Sequence, residues 1–342
     1  MTGNPLRRSY ITATCAVAFI FLGAAPRVGV TGPTQTLRRS SLPVAPQDAQ
    51  HLYRIVGKAR LLLLWASADD VGGARITWRG GEADRSVALL IGSDPERAPL
   101  GVNEWGYIRE HVDKDSATVF GIRTLTDGDS PEEAEARQTA PDTFAEFGVL
   151  CARVWPLEAT SRTATVSIGR NATYRHVDHV LDIVERNARW KEDHASRPPD
   201  VAPGFLTALD LMMRTSAAAV RESGTPASCP RLGYVYKDAI FDLIPRRIER
   251  VPYLRTRSRL FRNLLRTEVS VRNRVTGSKS GFSITFGTDG ALAGIPVSAV
   301  YQPNWWFKVE LELDEDQDVP SDPAADSHVT QRIAALCSPP GG

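Results

Sequence analysis

The chain has 342 residues, and its 42% hydrophobic and 24% charged residues are typical of a globular protein of one or two domains. Its 41 basic and 40 acidic side chains leave a net charge of +1. This balance argues against a protein dedicated to nucleic acid, whose affinity depends on neutralising phosphates.

The first 25 residues have the organisation of a secretory signal peptide. Arg7 and Arg8 form a basic start, and an apolar stretch follows from Ile11 to Ala25. This stretch is short for a transmembrane helix, which needs about 20 apolar residues. The pattern predicts export to the periplasm or the cell exterior, by the general or the twin-arginine route. An uncleaved N-terminal anchor is the alternative, and membrane contact is expected only through it.

Strand patterns dominate the residues that follow. Residues 26–50 are polar and rich in proline, which predicts a flexible linker. Residues 51–170 contain short runs of alternating or continuous apolar residues separated by turn signals such as the Asp-Asp-Val-Gly-Gly segment at 69–73. We interpret them as an N-terminal β-rich part.

Two helices are predicted in the middle of the chain, within residues 171–224. Apolar residues at Val177, Val180, Leu181 and Val184 follow the spacing of one helical face. A second helical pattern begins at residue 205 and ends before Gly224.

Strand patterns return in residues 225–315. The segment 234–244 reads as a hairpin with Lys237 and Asp238 at its turn, and Phe282, Ile284 and Phe286 alternate with small polar residues. Residues 316–342 form an acidic tail with a short helix. The predicted fold is therefore strand-rich α+β, with antiparallel meander sheets that are barrel-like or half-open, and a central two-helix insertion.

Three cysteines follow the export signal, at Cys151, Cys229 and Cys337. An oxidising compartment permits one disulfide and one spare thiol, whereas three buried thiols are the alternative. The spacing does not decide the pairing.

The strongest metal-like cluster is His176, Asp178 and His179. On a helix the two histidines lie about 60° apart and near enough to share a metal ion. This spacing supports a metal-dependent hydrolase as an alternative function. The same residues also fit an ordinary solvated helix face, and no nucleophile elbow or phosphate-binding loop occurs in the chain.

Charge and aromatic residues supply the remaining candidates. Ten arginines between Arg246 and Arg274 face only two acids, whereas residues 310–326 carry eight acids and no base. Cross-strand pairing between two neighbouring strands is one explanation, and an arginine-rich face for anionic lipids or a partner is the other. Trp306 falls on the polar face of the last strand, where we expect either a covering helix or a binding role. The predicted ligand-binding residues are Trp306, Arg272 and Arg274.

These observations predict an exported bacterial envelope protein that is non-catalytic and binds an apolar, lipid-like ligand or a partner protein. The two alternatives are the metal-dependent hydrolase and a structural protein that docks through its arginine-rich sheet face. No cofactor and no nucleic-acid partner are predicted, and the sequence gives no indication of the oligomeric state.

Overall fold

The computed structural model describes residues 48–61, 64–81, 84–98, 102–114, 116–125, 144–198, 200–224, 230–304 and 307–338. The predicted export signal, residues 26–47 of the predicted linker, Trp306 and Cys229 lie outside these ranges. The described strands are β1 Ala49–Leu61, β2 Leu64–Gly80, β3 Arg85–Ser93, β4 Trp105–Val112, β5 Ala117–Thr124, β6 Phe144–Val154, β7 Glu158–Gly169, β8 Lys191–Ser196, β9 Val201–Ala202, β10 Leu232–Tyr236, β11 Ala239–Arg255, β12 Leu260–Asn273, β13 Lys279–Gly287, β14 Pro296–Asn304 and β15 Phe307–Leu313.

The fifteen described strands form one sheet in the order β8-β7-β6-β5-β4-β3-β2-β1-β15-β14-β13-β12-β11-β10-β9. All described neighbours are antiparallel except β9 and β10, which are parallel. Since β8 and β9 are the two edges of this order, the sheet is open. The prediction of a strand-rich chain is confirmed, and the two predicted β parts belong to a single sheet rather than to two.

The buried side chains follow the period of two expected for strands. Phe282, Ile284 and Phe286 on β13 are buried, as are Phe307 and Val309 on β15. Because successive side chains point to opposite faces, each run places one apolar row against the core.

One long helix, α2 at Phe205–Ser223, packs against the concave face of the sheet. Leu206 and Met212 lie in a core cluster with Trp78 and Val87 of β2 and β3. The same cluster includes residues of β10 to β13, such as Tyr234. The sheet therefore curls around α2, and both halves of the sheet bury apolar surface against the helix.

The two ends of the sheet approach each other without pairing. Val201 of β9 and Val235 of β10 share a small apolar cluster with Ala117, Val154 and Ala159 of β5 to β7. Only four residues of chain, 197–200, connect the edge strands β8 and β9. This contact brings the two edges of the sheet together through apolar side chains.

The convex face carries the other two described α-helices, α1 at Val177–Asn187 and α3 at Ser327–Leu336. Val180 and Ile333 are buried in a cluster with residues of β3 to β7. A disulfide between Cys151 of β6 and Cys337 fixes the C-terminal end of α3 to the sheet.

The two central helices are confirmed, but they do not pack together as one helical unit. The α1 stripe is buried on the convex side, whereas α2 is buried on the concave side. Strands β8 and β9 lie between the helices in the chain, where the sequence analysis predicted no strand. The physical reason is that each helix has one apolar stripe, and the sheet offers an apolar face on both sides.

Candidate functional site

A cavity of about 490 Å³ lies between the concave face of β4 to β7 and the hairpin that joins β10 to β11. Its volume is within the range of small-molecule binding sites, roughly 300–1,000 Å³. The lining residues are Tyr107, Ile108, Gly121, Ile122, Arg123, Leu125, Gly148, Val149, Leu150, Thr163, Ala164, Thr165, Arg189, Lys191, Tyr236 and Lys237.

Two cross-strand rows of residues form the floor of the cavity. In the first row Ile108, Gly121 and Leu150 are direct register partners on β4, β5 and β6. In the second row Arg123 and Gly148 are partners on β5 and β6. Direct partners point to the same face of a sheet, so the floor consists of the Ile108 and Leu150 side chains and of the gaps left by the two glycines, and the Arg123 side chain lies at its edge.

The two glycines create the depth of this floor. A Cβ atom added to Gly121 would have its nearest neighbours at 3.9 Å, the Cβ of Leu150 and the carbonyl oxygen of Tyr107, which is ordinary contact distance. A Cβ added to Gly148 would lie 3.0 Å from a methyl group of Leu125. A glycine in a strand interior often marks a place where a ligand approaches the backbone closely. This is the one signal in the sequence that points to the site.

Four basic side chains border the floor: Arg123, Arg189, Lys191 and Lys237. The described lining contains no carboxylate to balance them. Lys191 pairs with Asp193, at 3.3 Å, while the other three have no ion pair with a described residue. The cavity therefore combines an apolar floor with a positive border.

Lys237 is held in an environment that disfavours its charge. Burial lowers its pKa below the ordinary value, and the positive charge of Arg123 lowers the pKa further. Asp238 acts in the opposite direction but does not cancel the effect. An anion placed between Lys237 and Arg123 would relieve this repulsion.

The backbone of Lys237 is also unusual. Its φ angle is +55°, in the left-handed region. The other described non-glycine residues with positive φ are aspartates and an asparagine, whose short polar side chains tolerate this region. Lysine gains no such compensation, so the two-residue turn between β10 and β11, which requires a positive φ, holds Lys237 in a strained conformation beside the cavity.

An aromatic wall supports the hairpin side of the cavity. The Tyr236 ring lies 6.0 Å from that of Phe241, and the Nζ atom of Lys237 lies 5.7 Å from the Tyr236 ring centre. Burial raises the pKa of Tyr236, so its hydroxyl remains protonated and can donate a hydrogen bond.

The predicted ligand-binding residues lie elsewhere. Arg274 follows the end of β12, where its Nε atom is 2.9 Å from a carboxylate oxygen of buried Asp242. Arg272 is the register partner of Asp242 on β11. Neither arginine lines the cavity, and Trp306 lies outside the described residues.

The three predicted metal ligands lie at the start of α1. The Nδ1 atom of His176 accepts the N–H of Thr173 at 3.1 Å and so forms part of a capping box. Asp178 and His179 are exposed on the first turn of α1. In the described ranges no group of three His, Cys, Asp or Glu side chains is arranged to hold a metal ion. The geometry thus gives the metal hypothesis no support.

Comparison of the chain with models of known protein families, with curated proteins and with solved structures finds no match in any of the three. Within the part of the chain that the structure describes, no helix is long and apolar enough to cross a bilayer. The cavity is therefore the feature from which a function can be inferred.

Proposed function

We propose that this chain is an exported, non-catalytic binding protein whose ligand is an amphiphilic small molecule with an anionic end. The observation that carries the proposal is the cavity in which Gly121 and Gly148 open an apolar floor beside an unbalanced basic border. An apolar chain on the floor would remove hydrocarbon from water, and a carboxylate or phosphate at the border would neutralise the partly buried positive charges of Arg123 and Lys237.

The lining favours binding over catalysis. The side-chain hydroxyl groups that the described lining offers are those of Thr163, Thr165 and Tyr236, because the Tyr107 hydroxyl is bonded to Asp322 on the other face of the sheet, and the lining contains no histidine, cysteine or carboxylate. A general acid–base mechanism needs a group that titrates near the working pH and lies within reach of the ligand. Lys237 is the lining residue whose pKa is shifted toward neutral pH, and no described carboxylate, histidine or cysteine of the lining stands beside it to share proton transfer. We therefore assign the cations and hydrogen-bond donors of the cavity to holding an anion.

Export is part of the same proposal and has independent support. The first 25 residues have the pattern of a secretory signal, and Cys151 is joined to Cys337. Structural disulfides persist in oxidising compartments such as the periplasm. The predicted location is therefore the bacterial envelope or the cell exterior.

The test is direct binding of a fluorescent amphiphile, dansyl-labelled undecanoate, to the purified chain. Gly121→Leu places a four-carbon side chain on the cavity floor, where the structure has room for its Cβ atom. We expect this variant to bind the probe about tenfold more weakly or worse. Gly81→Leu is the matched control, because a Cβ at Gly81 meets nothing within 4 Å.

Three outcomes are informative. Saturable binding by the wild-type protein that is lost in Gly121→Leu and kept in Gly81→Leu supports the proposal. A wild-type protein that does not bind the probe, and from which native mass spectrometry detects no co-purified amphiphile, overturns it. Equal binding by both variants also overturns it, since the ligand would then occupy a different site.

A further inference from the structure

The tip of the β11–β12 hairpin carries exposed arginines and apolar side chains that take no part in the cavity. Strand β10 pairs with β11 only as far as Leu243. Beyond that residue β11 pairs with β12 alone in the described sheet, up to Arg255 opposite Leu260. This end of β11 is the opposite end from Lys237, so a partner bound there leaves the cavity accessible.

The arginines of this hairpin are not balanced by the acidic strand. The prediction of cross-strand pairing between the two charge runs is wrong, because β15 lies between β1 and β14. Its acids are used locally: Glu312 pairs with Arg54 at 2.5 Å, and Glu310 pairs with Lys58 and Lys308. The positive charge of the hairpin therefore remains on the surface.

Part of that charge is neutralised and part is not. Glu249 lies 3.5 Å from both Arg247 and Arg266 on the middle of the hairpin, and Arg257 pairs with Asp70 of β2. In contrast, three arginines near the end make no ion pair with any described residue; they are Arg255, Arg259 and Arg262.

Two exposed apolar side chains stand among these arginines. Tyr253 is 67% exposed and is the register partner of Arg262, while Leu260 is 48% exposed and is the partner of Arg255. Direct partners share one face of the hairpin, so each apolar group lies beside a guanidinium. We call this set, Tyr253, Arg255, Arg259, Leu260 and Arg262, the tip patch.

We propose that the tip patch docks the protein onto the surface of an anionic lipid bilayer. The arginines match the negative potential of phosphate headgroups, where each basic residue contributes roughly fivefold to binding. Tyrosine is enriched at membrane–water interfaces because its ring is apolar and its hydroxyl is polar. A soluble acidic polymer would use the arginines but would leave Tyr253 and Leu260 without an apolar partner, whereas a bilayer surface offers phosphate and hydrocarbon side by side.

Docking at the tip does not require the proposed ligand, although membrane docking and amphiphile binding are compatible functions. The cavity lies at the β10–β11 end of β11, and the tip patch lies at its other end. A protein held by the tip on a bilayer would keep its cavity open to amphiphiles. Gly121→Leu is accordingly expected to leave docking unchanged.

The experiment is co-sedimentation of the exported chain with vesicles of phosphatidylcholine alone or mixed with phosphatidylglycerol. Wild-type protein is expected to prefer the anionic vesicles. It should be released at about 1 M salt, because the Debye length is then roughly 3 Å and charge–charge attraction is screened. The triple variant Arg255→Ser, Arg259→Ser, Arg262→Ser is expected to bind about 100-fold more weakly. Circular dichroism checks that each variant is folded.

Two further variants separate a bilayer from other partners. The control triple variant removes three exposed charges away from the tip and should leave docking intact; it combines Lys114→Ser, Arg221→Ser and Lys279→Ser. Tyr253→Ser with Leu260→Ser should weaken docking with no change in charge. The proposal is overturned if wild-type protein binds both vesicles equally or if the control triple loses as much binding as the tip triple. The Tyr253/Leu260 variant could instead bind vesicles as well as wild type does, and soluble polyglutamate could displace the protein from the vesicles. These two results together would indicate an acidic partner.

Discussion

The carboxylate of Glu110 accepts the backbone N–H of Leu206 at 2.8 Å, and this contact fixes the start of α2 on the concave face of β4. The same carboxylate accepts the N–H of Thr207 at 2.8 Å and its hydroxyl at 2.7 Å. The residue at the N-cap position, Gly204, has no side chain to serve this purpose. A Cβ atom at Gly204 would collide with the Glu110 carboxylate. The glycine therefore allows a side chain of strand β4 to cap the helix.

The protonation of Glu110 makes the free energy of unfolding depend on pH. Burial raises its pKa above the ordinary value of 4.5, and the hydrogen bonds from Thr207 and Leu206 reduce the shift without cancelling it. The stabilising contribution is thus complete below the unfolded-state pKa and is lost as pH rises through the folded-state pKa. Glu110→Gln removes this dependence, because glutamine does not ionise.

Urea unfolding at a series of pH values from about 4 to 8 measures the effect. The free energy of unfolding of Glu110→Gln, relative to wild type, should increase with pH and level off once Glu110 is ionised. Glu158→Gln, an exposed position on β7, is the control and should show a flat difference. A flat difference for Glu110→Gln as well would contradict the assignment.

A buried charge network fixes the middle of α2. Asp210 is 2% exposed and accepts the indole N–H of Trp78 at 2.9 Å and the Nε–H of Arg214 at 2.9 Å. Arg85 of β3 pairs with the same carboxylate. Asp210→Ala leaves two guanidinium groups and an indole N–H without this partner, so we expect a loss of about 3–5 kcal/mol in the free energy of unfolding.

A double variant tests whether that loss comes from unpaired charge. Asp210→Leu with Arg214→Met replaces the most buried pair by apolar groups of similar size, which removes the unpaired buried guanidinium and leaves only partly exposed Arg85 and the Trp78 indole N–H without the carboxylate. Urea unfolding followed by circular dichroism should therefore find the double variant more stable than Asp210→Ala. The reverse order would mean that the specific geometry of the network, rather than the cost of an unpaired charge, stabilises α2.

Local patterns predicted the elements but not their arrangement. The stripe Val177, Val180, Leu181 and Val184 is buried, and Lys237 with Asp238 forms the predicted turn. These features follow from spacing and turn chemistry within a few residues. Which face of the sheet each helix covers depends on how fifteen strands curl, and no local pattern contains that information.

The candidate site was missed for the same reason. Arg123 and Lys237 are 114 positions apart in the chain and meet only because the ends of the sheet approach each other. Conversely, Arg274 looked free in a run of arginines, but Asp242 is within hydrogen-bonding distance of it. Glycines inside strands, at 121 and 148, were the only local indication of a cavity.

The disulfide between Cys151 and Cys337 closes a segment with a sequence separation of 186 residues. Loop-closure entropy predicts a stabilisation of up to about 5 kcal/mol, and measured values for native bridges are typically 2–5 kcal/mol. Cys151→Ala with Cys337→Ala should lower the free energy of unfolding by an amount in that range. The same fall should appear when wild-type protein is unfolded in urea with reductant, and the double variant should not respond to the reductant.

Peptide mapping without reduction checks the pairing itself. A linked pair of peptides containing Cys151 and Cys337 is expected, with Cys229 recovered as an alkylated thiol. A linked peptide containing Cys229 would show a different connectivity and would remove the covalent attachment of α3 to β6.

Ligand binding in the cavity should depend on the protonation of Lys237. Burial, with Arg123 nearby, lowers the pKa of Lys237 below its ordinary value of 10.5. A bound carboxylate favours the protonated amine, so the pKa of Lys237 rises when an anionic ligand binds. Affinity for dansyl-labelled undecanoate should therefore be constant below the pKa of the free protein and fall as pH rises through it.

Titrations of probe binding between about pH 7 and pH 10.5 measure this fall. Lys237→Met should bind the probe more weakly at neutral pH and should lose the pH dependence over that range. Lys114→Met, an exposed lysine away from the cavity, is the control and should reproduce the wild-type curve. A neutral probe of the same length, dansyl-labelled undecanol, should show no fall with pH. If the neutral and anionic probes bind equally and Lys237→Met changes neither, then the cavity holds only the apolar chain and the basic border does not contact the ligand.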